Sequence, residues 1–178
     1  LEYIKWGESQ KFHLRPSCRG RQRWWDVGLR PKALINVNYL VDETVRFFMK
    51  EDGFFVSDNF QEWHIALNDF WQAGAAANST IFQLFANIAG RANFGGGLMK
   101  IQTYEVASML VLAPAVLPVS GCRPVLQKSE RLDLDSPDRR ELDEVVFDVL
   151  GLTSGEREAV YEAVIELVRA RLEKARSV

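Results

Sequence analysis

Residues 33–67 read ALINVNYLVDETVRFFMKEDGFFVSDNFQEWHIAL, and the reading of this stretch decides the fold. Four short runs in it, 34–39, 44–49, 54–56 and 63–67, are dominated by β-branched and aromatic residues. Such side chains fit a pleated, half-buried surface, so each run is expected to be a strand. Glu51-Asp52-Gly53 lies between the second and third runs, and an Asp-Gly pair supplies the positive φ of a tight turn. One antiparallel hairpin is therefore expected there.

The period changes on the C-terminal side. Asn68 is placed to cap a helix carrying Phe70, Trp71, Ala75, Ile81, Phe82, Leu84, Phe85 and Ile88, with Gly90 at the position after its end. Its apolar residues fall on nearly every side, so it should be buried. Asn78-Ser79-Thr80 are cap formers in its middle, and the segment is either one helix or two. Gly95-Gly96-Gly97 reads as a flexible connection, 98–101 as a further strand, and Thr103-Tyr104-Glu105-Val106 as a short turn of helix. Pro114, Pro118, Gly121 and Pro124 mark a linker.

The tail is governed by strong local signals. Ser136-Pro137 is an N-cap with proline at the first helical position, and Leu142, Val145, Val146, Val149 and Leu150 recur at helical spacing as far as Gly151. Thr153 with Glu156 forms a capping box ahead of a stripe of Val160, Val164, Leu167, Val168 and Leu172. Two amphipathic helices joined at Gly151-Leu152 make a helical hairpin. The layout is a basic arm over 1–32, a mixed α/β domain over 33–115, a linker over 116–135 and the hairpin over 136–178. The fold class is α+β, with short antiparallel strands and a buried helix followed by the hairpin.

Of 178 residues, 47% are apolar and 26% charged, an ordinary globular balance that needs no disulfide or structural metal. Cys18 and Cys122 lie far apart without metal-ligand spacing, which fits a reducing cytoplasm. No apolar run approaches the roughly 20 residues that span a bilayer, so no membrane association is expected. An opening on Leu1 is what an excised piece of a larger protein would have. The net charge of −2 conceals an asymmetry. Before Ala33 the chain is basic; from Glu130 it turns acidic, with Asp133, Asp135, Asp138, Glu141, Asp143 and Glu144 crowded together. A polyanion should therefore meet the front of the molecule.

Several chemistries are excluded by inspection. No two prolines are adjacent, so the Pro-Pro-aromatic tetrapeptide with which amino-methyltransferases grip a flipped base is missing. No glycine-rich loop follows a strand and opens a helix, as a nucleotide or S-adenosylmethionine site would need. The triple glycine follows a helix and reads as a hinge or a place of close backbone approach. There is no Gly-x-Ser-x-Gly elbow. His64 is expected to be a partly buried structural imidazole and His13 a surface residue, while Asp143 and Glu144 should lie solvated on a polar helix face. No catalytic residue, metal ligand or cofactor-binding residue is assigned to this chain.

The strongest local feature is Arg19-Gly20-Arg21-Gln22-Arg23-Trp24-Trp25, followed by Lys32. Guanidinium groups neutralise phosphates or pair with guanine edges, and tryptophan can stack. The same tandem tryptophans equally suit an anchor that holds an arm to a core while the arginines stay solvated. Arg91 and Lys100 bracket the glycines, and Arg46 and Lys50 line the expected hairpin. These ten residues, Arg19, Arg21, Arg23, Trp24, Trp25, Lys32, Arg46, Lys50, Arg91 and Lys100, are the candidate DNA contacts.

The order of segments resembles the C-terminal, TaqI-like specificity domain of the N6-adenine DNA methyltransferases of restriction–modification systems. The resemblance rests on Cys18-Arg19-Gly20-Arg21 with Trp24-Trp25, on Val56-Ser57-Asp58-Asn59-Phe60, and on Ala77-Asn78-Ser79-Thr80. It continues in Gly90-Arg91 with Gly95 to Ile101, in Val111-Leu112-Ala113-Pro114, and in Arg140 to Glu144 with Phe147 to Leu152. Ala77 stands where the family usually has Leu. The resemblance implies a target-recognition-type fold, double-stranded DNA as partner, and a catalytic domain upstream in the same parent chain. S-adenosylmethionine would bind that domain, and the fragment alone would not be an enzyme. The parent would be a site-specific methyltransferase that is either fused to a nuclease or not. The competing reading is a protein–protein docking module without DNA contact, suggested by the mild acidity and the amphipathic tail.

Overall fold

The computed structural model describes residues 1–91, 95–129 and 132–176; Glu130 of the acidic crowd lies outside them. The chain forms two compact units, residues 1–31 and 32–178.

In the first unit, helix α1 (Glu2–Ser9) is followed by a 3-10 turn at Phe12–Leu14. Pro16, Gly20, Gly28 and Pro31 suit an irregular arm, yet a helix opens it. The helix forms because aromatic residues spaced along the arm find one another: Trp6 meets Phe12 edge-on at 5.3 Å, Phe12 meets Trp24 at 6.4 Å, and Trp24 meets Trp25 at 6.1 Å. Gly7 lies directly beneath the Trp24 indole, where a Cβ would stand 2.3 Å from the ring. Lys11, at φ 59°, ends the helix in the left-handed region. His13 is half-buried, against the expectation of a surface position.

The second unit begins with strands β1 (Ala33–Asn38), β2 (Leu40–Val41), β3 (Phe47–Phe54) and β4 (Phe60–Trp63). A three-stranded antiparallel sheet has the order β3-β1-β4. Ile35 and Val37 point inward, and Phe47 and Trp63 from the flanking strands join them, their rings 4.8 Å apart. The alternation that turns Trp63 and Ile65 inward turns His64 outward. His64 is thus exposed, 3.4 Å from Glu62, and not the partly buried imidazole expected.

The Asp-Gly hairpin is corrected more substantially. Ala33 pairs with Phe54 and Ile35 with Met49, so β3 runs through Asp52-Gly53, and residues 50–53 bulge out of the ladder. Gly53 does take the positive φ, 64°, but in a bulge whose floor is β1: a Cβ would lie 2.7 Å from that of Lys32. The connection from β1 to β3 runs instead through 39–46. It is held by Gln83, whose side chain donates to the Val45 carbonyl (2.7 Å) and accepts from the Val45 amide (2.9 Å), as a neighbouring strand would.

Helices α2 (Phe70–Asn78) and α3 (Thr80–Ala89) break where the cap formers stand. Ser79 is the N-cap of α3, its hydroxyl accepting from Phe82 N at 3.2 Å. Burial of α2 explains its small residues: a Cβ on Gly74 would fall 2.1 Å from Met49. Gly90 ends α3 at φ −69°, not in the left-handed region. Glycine is needed there because a Cβ would meet Met99 Sδ at 2.1 Å.

Strand β5 (Met99–Lys100) pairs with β2, and α4 (Thr103–Ser108) begins with a Gln102/Glu105 capping box. The expected linker contains helix α5 (Val119–Lys128), despite Pro124. Val125 and Cys122 bury against Leu142 and Val146 of α6 (Pro137–Leu150), while Pro124 and Ser120, whose carbonyl loses its partner, stay exposed. Helix α7 (Ser154–Arg176) follows. The Ser136 cap, the left-handed Gly151 and the Thr153/Glu156 box are all as expected. Beyond its first turns, α7 lies against α3 and the Gly95–Gly97 turn, which is thereby buttressed where a flexible connection was expected.

Cys122 is fully buried, which pushes its thiol up to about 11, whereas Cys18 is half-buried. Thiol titration of the native chain should therefore label Cys18 rapidly and Cys122 only in denaturant. Two equally fast thiols would contradict the packing of α5. Because an unfolded thiol ionises near 9.0, this group's contribution to stability is complete below that pH and is lost as pH rises towards 11.

Candidate nucleic-acid interface

The basic residues fall into four places. In the first unit, Arg19, Arg21 and Arg23 are all exposed on the segment between Cys18 and Trp24. Trp24 acts as the anchor of that segment, its ring over Gly7 and its Nε1 donating to Glu8 at 3.4 Å. Trp25 is 44% exposed and presents its indole to solvent beside the arginines. Asp26 shapes the exit, accepting from Gly28 N at 2.8 Å.

In the second unit, Lys32 and Lys50 converge on the β3 bulge. Lys50 pairs with Asp52 at 3.2 Å, and that hydrogen bond holds the Asp52 carboxyl below its usual range. Lys32 Nζ stands 5.9 Å from the Phe55 ring centre. Arg46 is separate: its guanidinium lies 3.8 Å from Asp133, at a groove of about 380 Å³ between β3 and the end of α5.

Arg91 and Lys100 are brought together by the backbone, each amide donating to the other's carbonyl at 3.3 and 3.1 Å. Glu105 reaches Arg91 Nε at 2.6 Å with one oxygen and caps α4 at Gln102 N, 2.7 Å, with the other. Tyr104 OH accepts from Arg91 Nη2 at 2.5 Å, and Lys100 Nζ lies 4.4 Å over the Tyr39 ring. Two cations are thus oriented side by side on one edge, each against a tyrosine. Tyr104 and Glu105 follow β5 closely in sequence and Tyr39 precedes β2, and only the pairing of β5 with β2 joins them.

A second cluster was missed by sequence reasoning. Asp143, expected on a solvated face, is fully buried and accepts from Thr80 N (2.7 Å), Thr80 Oγ1 (2.5 Å) and Tyr161 OH (3.0 Å). Arg139, one turn earlier on α6, is buried too and donates to the carbonyls of Asn78 (2.5 Å), Leu132 (2.5 Å) and Asp133 (3.2 Å). One helix therefore caps both ends of the α2/α3 break, a cation at the C-terminus of α2 and a carboxylate at the N-terminus of α3. Burial pushes the Asp143 carboxyl upward, against the pull of the Thr80 bonds and Arg139. Glu144 is exposed as expected and pairs with Arg157. Arg139 and Asp143 form a structural junction, both side chains being buried and bonded to groups of α2, α3 and the segment before α6.

The chain thus combines a compact basic arm with a mixed helix-and-sheet unit of short antiparallel strands and terminal helices. Residues 1–146 match the family described as the Type II methyltransferase M.Eco57I, C-terminal domain, and the chain belongs to that family. The expected kinship with a methyltransferase C-terminal domain is borne out. No curated protein and no solved structure gives a significant match.

The Gly95–Gly97 turn is filled by α7, with Leu172 3.0 Å and Ala175 3.3 Å from where a Gly97 Cβ would be. Among the described residues no cluster suits a metal ion, and no helix is long and apolar enough to cross a membrane.

Proposed function

We propose that this chain is the target-recognition part of a DNA adenine-N6 methyltransferase, with the S-adenosylmethionine site and the chemistry in a catalytic domain of the same parent chain. The observation that carries the reading is the arm: three exposed arginines on a segment pinned by Trp24, in a chain belonging to a methyltransferase C-terminal family. Arg19, Arg21 and Arg23 neutralise phosphates and Trp25 packs against the sugar–phosphate edge. Lys32 and Lys50 at the bulge and Arg91 and Lys100 at β5 supply further backbone contacts, and Arg46 reaches DNA only by leaving Asp133.

Two experiments test it. The chain, titrated against a 30-base-pair duplex, is expected to bind with a dissociation constant of roughly 1–100 μM at physiological salt, irrespective of sequence, and more tightly in low salt. Exchanging residues 1–146 in the intact parent for a relative's is expected to change which sites become methylated. No binding at low salt, together with unchanged methylation sites after the exchange, would leave the docking-module reading in its place.

A further inference from the structure

The family match ends at residue 146, within α6, so α7 lies beyond it. Yet α7 lies against the glycine turn through which the chain passes from Arg91 to Lys100. Gly97 adopts φ 77°, and its carbonyl accepts from Arg171 Nη1. Arg171 is only 9% exposed, and among the described residues its Nε and Nη2 find no hydrogen-bond acceptor. A guanidinium buried in that way costs more than the methionine that could fill the same volume. Its burial is explained by what it holds. Asp42 and Glu43, within coulombic reach, supply balancing charge without closing a bond.

The held turn connects directly to the paired cations. Lys100 N donates to the Arg91 carbonyl and Ile101 N to the Tyr39 carbonyl at 3.3 Å, so a shift of Gly97 propagates into the strand that carries Lys100. We propose that Arg171 is a positioning residue of the DNA interface: it clamps the glycine turn to α7, so that Arg91 and Lys100 meet the phosphate backbone together. This inference rests on the DNA-binding reading above.

The test uses the full chain and a 30-base-pair duplex, with affinity measured between 50 and 200 mM salt. Arg171→Met and Arg171→Lys are each made in the natural background and in Arg91→Ala/Lys100→Ala. Losing two phosphate contacts lowers the salt slope by about two, so Arg171→Met should shrink the ratio of the affinities at 50 and 200 mM by about tenfold. Arg171→Lys should recover most of that ratio, and Arg171→Met should add nothing in the double-alanine background. Amide exchange at Lys100 and Ile101 should quicken in Arg171→Met. An equal loss in both backgrounds, or unaltered exchange with intact binding, would overturn the clamp. Failure of the natural chain to bind any duplex would instead remove the reading beneath it.

Discussion

Asp143→Ala is expected to destabilise the chain by about 3–5 kcal/mol, because it leaves three buried donors unsatisfied and removes a charge that balances the buried Arg139. The carboxylate satisfies Thr80 N, Thr80 Oγ1 and Tyr161 OH at once, and its loss leaves those donors and the Arg139 guanidinium buried without it. Against a total stability on the order of 5–15 kcal/mol, the effect is large enough to lower the melting temperature by about 10 °C. Thr80→Val, which removes one donor and keeps the backbone amide, should cost roughly 1–3 kcal/mol. The paired change Arg139→Leu/Asp143→Leu should cost less than the sum of its single changes, since apolar residues replace both charges together. Urea denaturation of Asp143→Ala, Thr80→Val, Arg139→Leu, Asp143→Leu and the paired leucine change decides the matter. A loss below about 1 kcal/mol for Asp143→Ala would mean that α6 does not cap the α2/α3 break in solution.

Replacing Arg19, Arg21 and Arg23 together by Ala is expected to weaken duplex binding at every sequence and to flatten its salt dependence. At about 0.9 unit per lost phosphate contact, the slope should fall by about 2.7. Folding should be untouched, because all three side chains are exposed and the arm's aromatic cluster is built from Trp6, Phe12 and Trp24. A change confined to one target sequence would assign these arginines to base edges instead of phosphates. An unchanged slope would remove them from the interface. Trp24→Ala makes a useful contrast, since it uncovers Gly7 and should disturb α1 itself, as circular dichroism would report.

The candidate interface was legible in the sequence as residue types and not as a surface. Arginines beside tryptophans between Cys18 and Trp25 are visible in one dimension, and both tryptophan readings were open. The fold divides them: Trp24 packs inside its own unit, while Trp25 remains exposed. Arg91 and Lys100 looked like neighbours across a flexible glycine stretch. Their actual relation is an antiparallel bridge, with Glu105 and Tyr104 orienting the arginine and α7 behind the turn. Arg46 and Lys50, grouped in sequence by an imagined hairpin, are drawn apart by different carboxylates, Asp133 and Asp52.

By itself the sequence determined what short-range physics controls. Ser136-Pro137 and Gly151 delimit α6, Thr153 with Glu156 starts α7, and Ser79 splits the central helix, because each cap is satisfied within a few residues of itself. Runs of β-branched and aromatic residues likewise marked β1 and the start of β3, whereas 55–56 and 64–67 lie outside the strands. The tertiary structure alone decided register, burial of charge, and helix formation against local preference. Gly53 serves a bulge because β1 lies beneath it, and α5 forms around Pro124 because Cys122 and Val125 have α6 to bury against. Asp143 and Arg171 leave water because partners distant in sequence, Thr80 and Gly97, are waiting for them. The burial of Asp143 and Arg171 depends on contacts between residues more than sixty positions apart, and no local pattern carries that information.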